Sequence, residues 1–404
     1  MAEIDGVVHL WDLPEDKVFV RLKDGLQKLM VYKALKVAKT QKSLAENLSA
    51  NKASILDFRN SRFQTIKLGF VKQLSMFLVK TGLKEFSLEN IEKQIELIKS
   101  TKGGKSILNP KFPMNFNNKR GAQIIACIFF DGGITSSSLL PFYFNKENVL
   151  VDRMIENIKS IVGDIYYKKV KDKKNVFSVL FPQILGRILV NGLSLPIGQK
   201  VLKIPSLPTF VLTTGLELQK AFLQQAFDDE GSAKMSGCKT IQLSQHSSQK
   251  VPPIRLIQLK EMIERFGIRV NGPYFSGLRK TIKGYTSYGW SIHITNQTDT
   301  RLFEEKINFT LERQRNKLDN LLNSYTEPPR FRRRTAQEEF LKICEELKDG
   351  GIRITTKNVS GKIDRKERYV RRVLTKMVKA NELKVIKEWG WNGRGSVPKE
   401  FEVV

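Results

Sequence analysis

Two segments of this chain end in the same way. GAQIIACIFFDGGI (Gly121 to Ile134) and KAFLQQAFDDEGSA (Lys220 to Ala233) are each an apolar helical run that stops at an acid followed by glycine. The acid and glycine pairs are Asp131-Gly132 and Glu230-Gly231. After each comes the same series of strand-like residues, an amphipathic helix, a basic strand region and a final helix. PFYFNKENVLVDRMIENIKSIVG parallels IQLSQHSSQKVPPIRLIQLKEMIERFG, each a strand followed by a helix that closes at glycine, Gly163 or Gly267. The order predicts an α+β fold whose core is a duplicated αββαββα unit with pseudo-twofold symmetry.

With 404 residues the chain has room for more than that core. Helical periodicity stops around STKGGKSILNPKFPMNFNNKR, and a proline pair meets four arginines in TEPPRFRRRT. The expected organisation is a helical domain at 1–105, a linker at 106–118 and a core at 119–325 with halves 119–210 and 211–325. A basic linker at 326–335 and a final domain at 336–404 complete it.

Sixty-nine Lys+Arg against 41 Asp+Glu give a formal net charge of +28, the footprint of a protein that meets a polyanion, with double-stranded DNA the first candidate. No apolar run is long enough to span a bilayer and the N-terminus lacks a secretory pattern, so a soluble, cytoplasmic protein with no membrane role is expected. Cys127, Cys238 and Cys344 lie far apart, which argues against a disulfide frame or zinc knuckle. Three histidines argue against a histidine-based metal site.

Both flanks read as DNA-binding modules. In KSLAENLSANKASILDFRNSRFQTIKLGFVKQLSMFL, Leu44, Ala45 and Leu48 make one buried face, Ile55 and Phe58 a second, and Ile66, Leu68 and Leu74 a third. This all-α arrangement resembles the repressor-type helix-turn-helix family, with Lys52, Ser54 and Arg59 offered to DNA and Arg62 near the backbone. At the other end, AQEEFLKICEELKD, ITTKNVSGKI and RKERYVRRVLTKMVKANE, then two strands around GWNGRG, follow the order of a winged helix. Tyr369, Val370, Val373, Leu374 and Met377 form its inward stripe. Lys366, Arg368, Arg371 and Arg372 are left for phosphates and bases, with Arg394 at the wing tip and Arg332, Arg333 and Arg334 in the linker. A solvated basic face on a protein-interaction domain is the plainer alternative.

IIACIFFDG (Ile124 to Gly132) and LQQAFDDEG (Leu223 to Gly231) resemble the two copies of the motif that names the LAGLIDADG, or DOD-type, homing endonucleases. The first departs from the pattern at Phe129, where an acid is common. GRILVNGLSLPIGQKVLKIPSLP and FEEKINFTLERQRNKLDNLL follow as further family-like phrases. The resemblance implies two motif helices packed along a pseudo-twofold axis, with small Ala126 and Ala226 at their contact. It also implies a monomer in which Asp131 and Glu230 reach the floor of a β-saddle over DNA.

Phosphodiester hydrolysis needs neutralised phosphoryl oxygens, an activated water and a stabilised leaving oxygen. Mg2+ or Mn2+ held by Asp131 and Glu230 supplies these with no histidine. Asp228, two positions before Glu230, reads as capping or supporting, and Asp229 as solvated. Lys200, Lys203, Lys280 and Lys283 occupy comparable late positions in the two halves and are candidates to orient water. A plain phosphate contact is the alternative for each. Alternating strands offer Gln242, Ser244, Gln245, His246, Ser291 and His293 to a groove or to water. The functional expectation is a site-specific endonuclease. A non-cleaving transcriptional regulator built on the same fold is the alternative, and an RNA maturase a further one.

Overall fold

The computed structural model describes residues 5–23, 25–60, 65–101, 104–235, 239–280, 284–325, 336–363, 365–389 and 399–404. Arg62, Lys283, Arg332, Arg333, Arg334, Arg394 and Cys238 lie outside them. The chain divides into two units, Met1–Leu322 and Asn323–Val404. No helix among the described residues is long and apolar enough to cross a membrane.

Within the first unit, each half of the core runs helix, two strands, helix, two strands, helix. The first half begins with motif helix Lys119–Phe129, then strands Gly132–Ile134 and Pro141–Asn145, helix Asn148–Val162, strands Lys168–Lys171 and Phe177–Leu180, and helix Gln183–Arg187. The second begins with motif helix Leu216–Glu230, then strands Gly231–Lys234 and Thr240–Ser247, and helix Ile254–Glu264. Strands Asn271–Lys280 and Thr286–Ile294 and helices Gln297–Lys306 and Glu312–Asn323 complete it. Both sheets are antiparallel and share one strand order: counted along each half, the first strand pairs the second, the second the fourth, and the fourth the third. The two motif helices pack against each other, with Ala126 and Ala226 fully buried. Alanine leaves the backbones room to approach, and the larger Phe129, Phe222 and Phe227 fill the surrounding core.

Gly132 and Gly231 follow the acids for a steric reason rather than a conformational one. Gly231 has an ordinary φ of −92°, and neither glycine is among the residues with positive φ. A Cβ on Gly132 would lie 2.5 Å from the Phe142 carbonyl oxygen, and one on Gly231 would lie 2.6 Å from that of Phe227. Any side chain at either place would force the strand away from its helix.

The N-terminal region corrects two expectations. It is not all-α: helices Leu26–Ala38, Gln41–Asn47, Lys52–Asn60 and Leu68–Lys80 accompany strands Phe19–Leu22, Ile66–Lys67, Ile95–Lys99 and Ser106–Leu108. Ile66, expected on a helix, pairs instead with Val20. Nor is 106–118 a linker, because Ser106–Leu108 pairs on one side with Ile95–Lys99 and on the other with Asp164–Ile165 of the core. Met114–Asn115 likewise pairs with Val7–Val8. Polar, glycine-rich composition marked this stretch as loose, and backbone pairing that composition does not encode makes it a seam stitched shut.

Helices Gln41–Asn47 and Lys52–Asn60 are separated by a four-residue turn, and each starts on a cap. Thr40 Oγ1 accepts from Ser43 N at 3.1 Å, and Asn51 Oδ1 accepts from Ser54 N at 3.0 Å. In the second unit, helix Ala336–Asp349, strand Ile354–Thr355, helices Thr356–Ile363 and Glu367–Lys379, and strands Leu383–Glu388 and Lys399–Val403 surround a separate core. That core includes Phe340, Val359, Val370, Leu374, Met377 and Phe401.

Candidate active site

The motif helices bring Asp131 and Glu230 close enough for the Glu230 charge to act on Asp131. Burial, and then the Glu230 charge, push Asp131 up to about 7, while Lys200 and the Asn145 amide oppose the rise. Burial also raises Glu230, against Lys200, Arg255 and Gln245.

Each acid meets an amide from the second strand of its own half. Asn145 Nδ2 donates to Asp131 Oδ2 at 2.9 Å, and its orientation is fixed because Asn145 Oδ1 accepts from Glu147 N at 3.0 Å. Gln245 lies beside Glu230 and uses its Oε1 to accept from Arg255 Nε at 2.7 Å. Arg255 is buried and also donates to the carbonyls of His246 and Lys200.

Lys200 sits between the halves. The first motif helix ends at Phe129, two residues short of its acid, whereas the second continues to Glu230. The shorter helix leaves carbonyls facing the site, and Lys200 Nζ donates to those of Ile128, Phe130 and Gly132 at 2.9, 2.6 and 2.7 Å. Burial, then Arg255, draw its pKa down to about 7, opposed by Glu230, Asp131 and Asp229. Only the ammonium form has a donor for each of three carbonyls.

Asp229 is the main correction. It is buried and not solvated: Oδ1 accepts from Tyr143 Oη at 2.7 Å and Gln225 Nε2 at 3.0 Å, with Asn145 Nδ2 at 3.4 Å. Burial, and then Asp131, raise it well above the usual carboxylate range. Asp228 has a fully enclosed side chain and accepts from Thr310 N at 2.9 Å, Leu311 N at 3.2 Å and Thr310 Oγ1, with Arg153 Nη1 at 3.5 Å. Its carboxylate thus secures the turn that starts helix Glu312–Asn323.

Of the other candidate bases, Lys203 is exposed on the short helix that places Lys200 and is not among the groups acting on either acid. Lys280 pairs with Thr286, six positions along its neighbour from Ile292, which lies in the row of Leu243 and Gly231. At ~3.3 Å per residue that is about 20 Å away, so Lys280 belongs to the hairpin tip and not to the acids. Similar sequence spacing had suggested otherwise, but the second half's strands are much longer than the first's. Asn145, Tyr143, Gln225, Arg153 and Arg255 were not singled out from sequence. Period-2 counting from buried Tyr143 would have placed Asn145 on the helix side of its strand.

Gln242, Ser244, His246, Ser291 and His293 share the face of the second sheet turned away from its helices, while Gln245 points inward. They are tied to one another or to the same sheet: Gln242 Nε2 donates to Ser244 Oγ at 2.7 Å, Ser291 Oγ meets His293 Nε2 at 2.8 Å, and His246 Nδ1 meets Ser287 Oγ at 3.1 Å. Lys52 is exposed at the start of its helix and Arg59 is half-buried. Ser54 lines a cavity of about 340 Å3 with Phe19, Asp57 and Phe58. In the second unit Lys366, Arg368, Arg371 and Arg372 line a groove of about 790 Å3. Tyr369, expected on the inward stripe, is half-buried beside Phe340 and carries Arg372 over its ring at 5.6 Å.

The donor set suits a hard divalent cation such as Mg2+ or Mn2+. Two mutually repelling carboxylates, and an Asp229 Oδ2 buried without a hydrogen-bond partner, make an oxygen-rich and electron-rich centre. Among the described residues no group of three or more His, Cys, Asp and Glu side chains forms a cage, so Asp131 and Glu230 would hold the ion together with water and phosphate oxygens.

No family model and no curated protein matches the chain. Among solved structures it is similar to the homing endonuclease I-DmoI in complex with DNA and Mn, at 14% identity, a TM-score of 0.32, and coverage of 48% of this chain and 97% of that one. For I-DmoI with DNA and Ca the values are 12%, 0.31, 48% and 90%. It is also similar to the N-terminal LAGLIDADG domain of DUF199/WhiA, at 11% identity, a TM-score of 0.32, and coverage of 52% and 90%.

Proposed function

We propose that this protein is a divalent-metal-dependent, site-specific double-strand DNA endonuclease of LAGLIDADG type, acting as a monomer. The observation that carries this reading is the meeting of Asp131 and Glu230 where two packed helices end, with burial raising both acids and the Glu230 charge raising Asp131 further. A buried like-charged pair is costly for a fold to keep unless a cation or a proton offsets it. Bound Mg2+ or Mn2+ would supply charge neutralisation and an acidic water at the scissile phosphates. Asn145 orients Asp131, Gln245 lies beside Glu230, and Lys200 holds the end of the first motif helix while presenting positive charge to both acids.

DNA would lie on the outer faces of the two sheets, with Gln242, Ser244, His246 and His293 toward base edges and Lys203, Lys280 and Lys283 as phosphate contacts. Burial lowers the pKa of both histidines, so each meets DNA as a neutral ring with one donor and one acceptor. Residues Gln41–Asn60 would act as a helix-turn-helix through Lys52, Ser54 and Arg59. The second unit would act as a winged helix through Lys366, Arg368, Arg371 and Arg372.

The test is cleavage of a randomised duplex library with Mg2+ by the intact chain, Asp131→Asn and Glu230→Gln. Cutting by the intact chain and its loss in both variants is the expected result. Cutting unchanged in both variants would overturn the site. Tight binding to one duplex without cutting would favour the second reading, a non-cleaving regulator. The separate, strongly basic groove of the second unit keeps that reading in play.

A further inference from the structure

The two sheets share strand order but not outer-face chemistry. In the first, Tyr143 and Val179 are buried toward the motif helices, so alternation puts Phe142, Phe144, Ser178, Leu180, Val170 and Lys168 on the opposite face. Phe142 faces Leu180 across the ladder and lies over Gly133, where an added Cβ would be 2.9 Å from Phe142 Cζ. Phe144 is 45% exposed, Val170 45% and Leu180 38%. The equivalent face of the second sheet carries Gln242, Ser244, His246, Ser291 and His293.

We infer that the two halves read their half-sites by different chemistry, the first through apolar contact with thymine 5-methyl groups and the second through hydrogen bonds to base edges. The inference rests on the DNA-binding reading above and adds the sequence class of one half-site. Apart from Ser178, whose hydroxyl donates to the Val170 carbonyl at 3.4 Å, and Lys168 at the edge, this face is Phe, Leu and Val and offers no donor or acceptor to a base edge. The one apolar group a base pair presents in the major groove is the thymine methyl. Lys168 on the same face, with exposed Lys171 on the same strand and Lys173 and Lys174 in the turn after it, matches flanking phosphates and would repel a second copy of a chain with charge +28. The Phe142 and Phe144 rings lie parallel within 4° at 6.1 Å between centroids. An unpaired base between them needs about 3.4 Å on each side, more than this spacing leaves.

The experiment uses the full chain with Ca2+ in place of Mg2+, selecting bound duplexes from a randomised library and then replacing thymine with uracil in one half-site at a time. The expected result is a thymine-rich half-site in which each lost methyl weakens binding about fourfold. The other half-site should be indifferent to the replacement. Phe144→Ser combined with Leu180→Ser, with folding checked by circular dichroism, should bind thymine and uracil sites alike while keeping the second half-site's preference. Uracil tolerated in both halves, sensitivity unchanged in the double variant, or preference for a single strand over duplex would each overturn the inference. Failure to enrich any duplex would instead overturn the DNA-binding reading itself.

Discussion

Asn145 donates to Asp131 across 2.9 Å, and nothing else in the immediate surroundings of Asp131 except Lys200 favours its ionised form. Removing that amide removes one of the two influences that favour the ionised carboxylate, so the pKa of Asp131 rises further. In Asn145→Ala the acid limb of the cleavage pH profile should move to higher pH by about one unit, with a drop of about fivefold in rate at pH 7 that shrinks by pH 8.5. A uniform loss at every pH would mean that Asn145 serves the fold alone.

The acids should cost the metal-free protein stability at neutral pH. Asp131 titrates at about 7 in the fold against 3.8 when unfolded, so the native state binds more protons between those values, and stability falls as pH rises through that window. Lys200 titrates at about 7 against 10.5, so there the unfolded state binds more protons, and stability rises again above pH 7. Denaturant melts of the metal-free chain should show a dip near pH 7. Asp131→Asn should raise stability there by about 1–3 kcal/mol while abolishing cleavage.

Lys200 terminates the first motif helix, and Lys200→Met leaves three carbonyls facing the site without their donor. A loss of about 2–3 kcal/mol in denaturant melts is expected, together with loss of cleavage well below the melting transition. Lys203→Met, on the same short helix but exposed, should change stability by less than about 0.5 kcal/mol.

Asp228→Ala should behave oppositely to the two motif acids. It strips acceptors from Thr310 and Leu311 and leaves Arg153 with less opposing charge, for a loss of about 2–4 kcal/mol. Cleavage at low temperature should survive, because Asp228 faces helix Glu312–Asn323 and not Asp131.

The sequence by itself determined the local and periodic features of this protein. An apolar helix ending in acid and glycine is legible because helix burial has a period of 3.6 and glycine marks close approach, and the second motif helix, the helix closed by Gly163 and the basic helix Glu367–Lys379 are where that grammar puts them. The first motif helix stops two residues before its acid, and helix Ile254–Glu264 three before Gly267. What a side chain meets from another element has no such signature. Only the tertiary structure decided that the Asp229 carboxylate is enclosed under Tyr143, that Lys200 rather than Lys203 or Lys280 lies where its charge acts on the acids, and that residues 106–108 join the N-terminal strands to the core. Those outcomes depend on register and on which helix stops two residues early, and long-range packing fixes both.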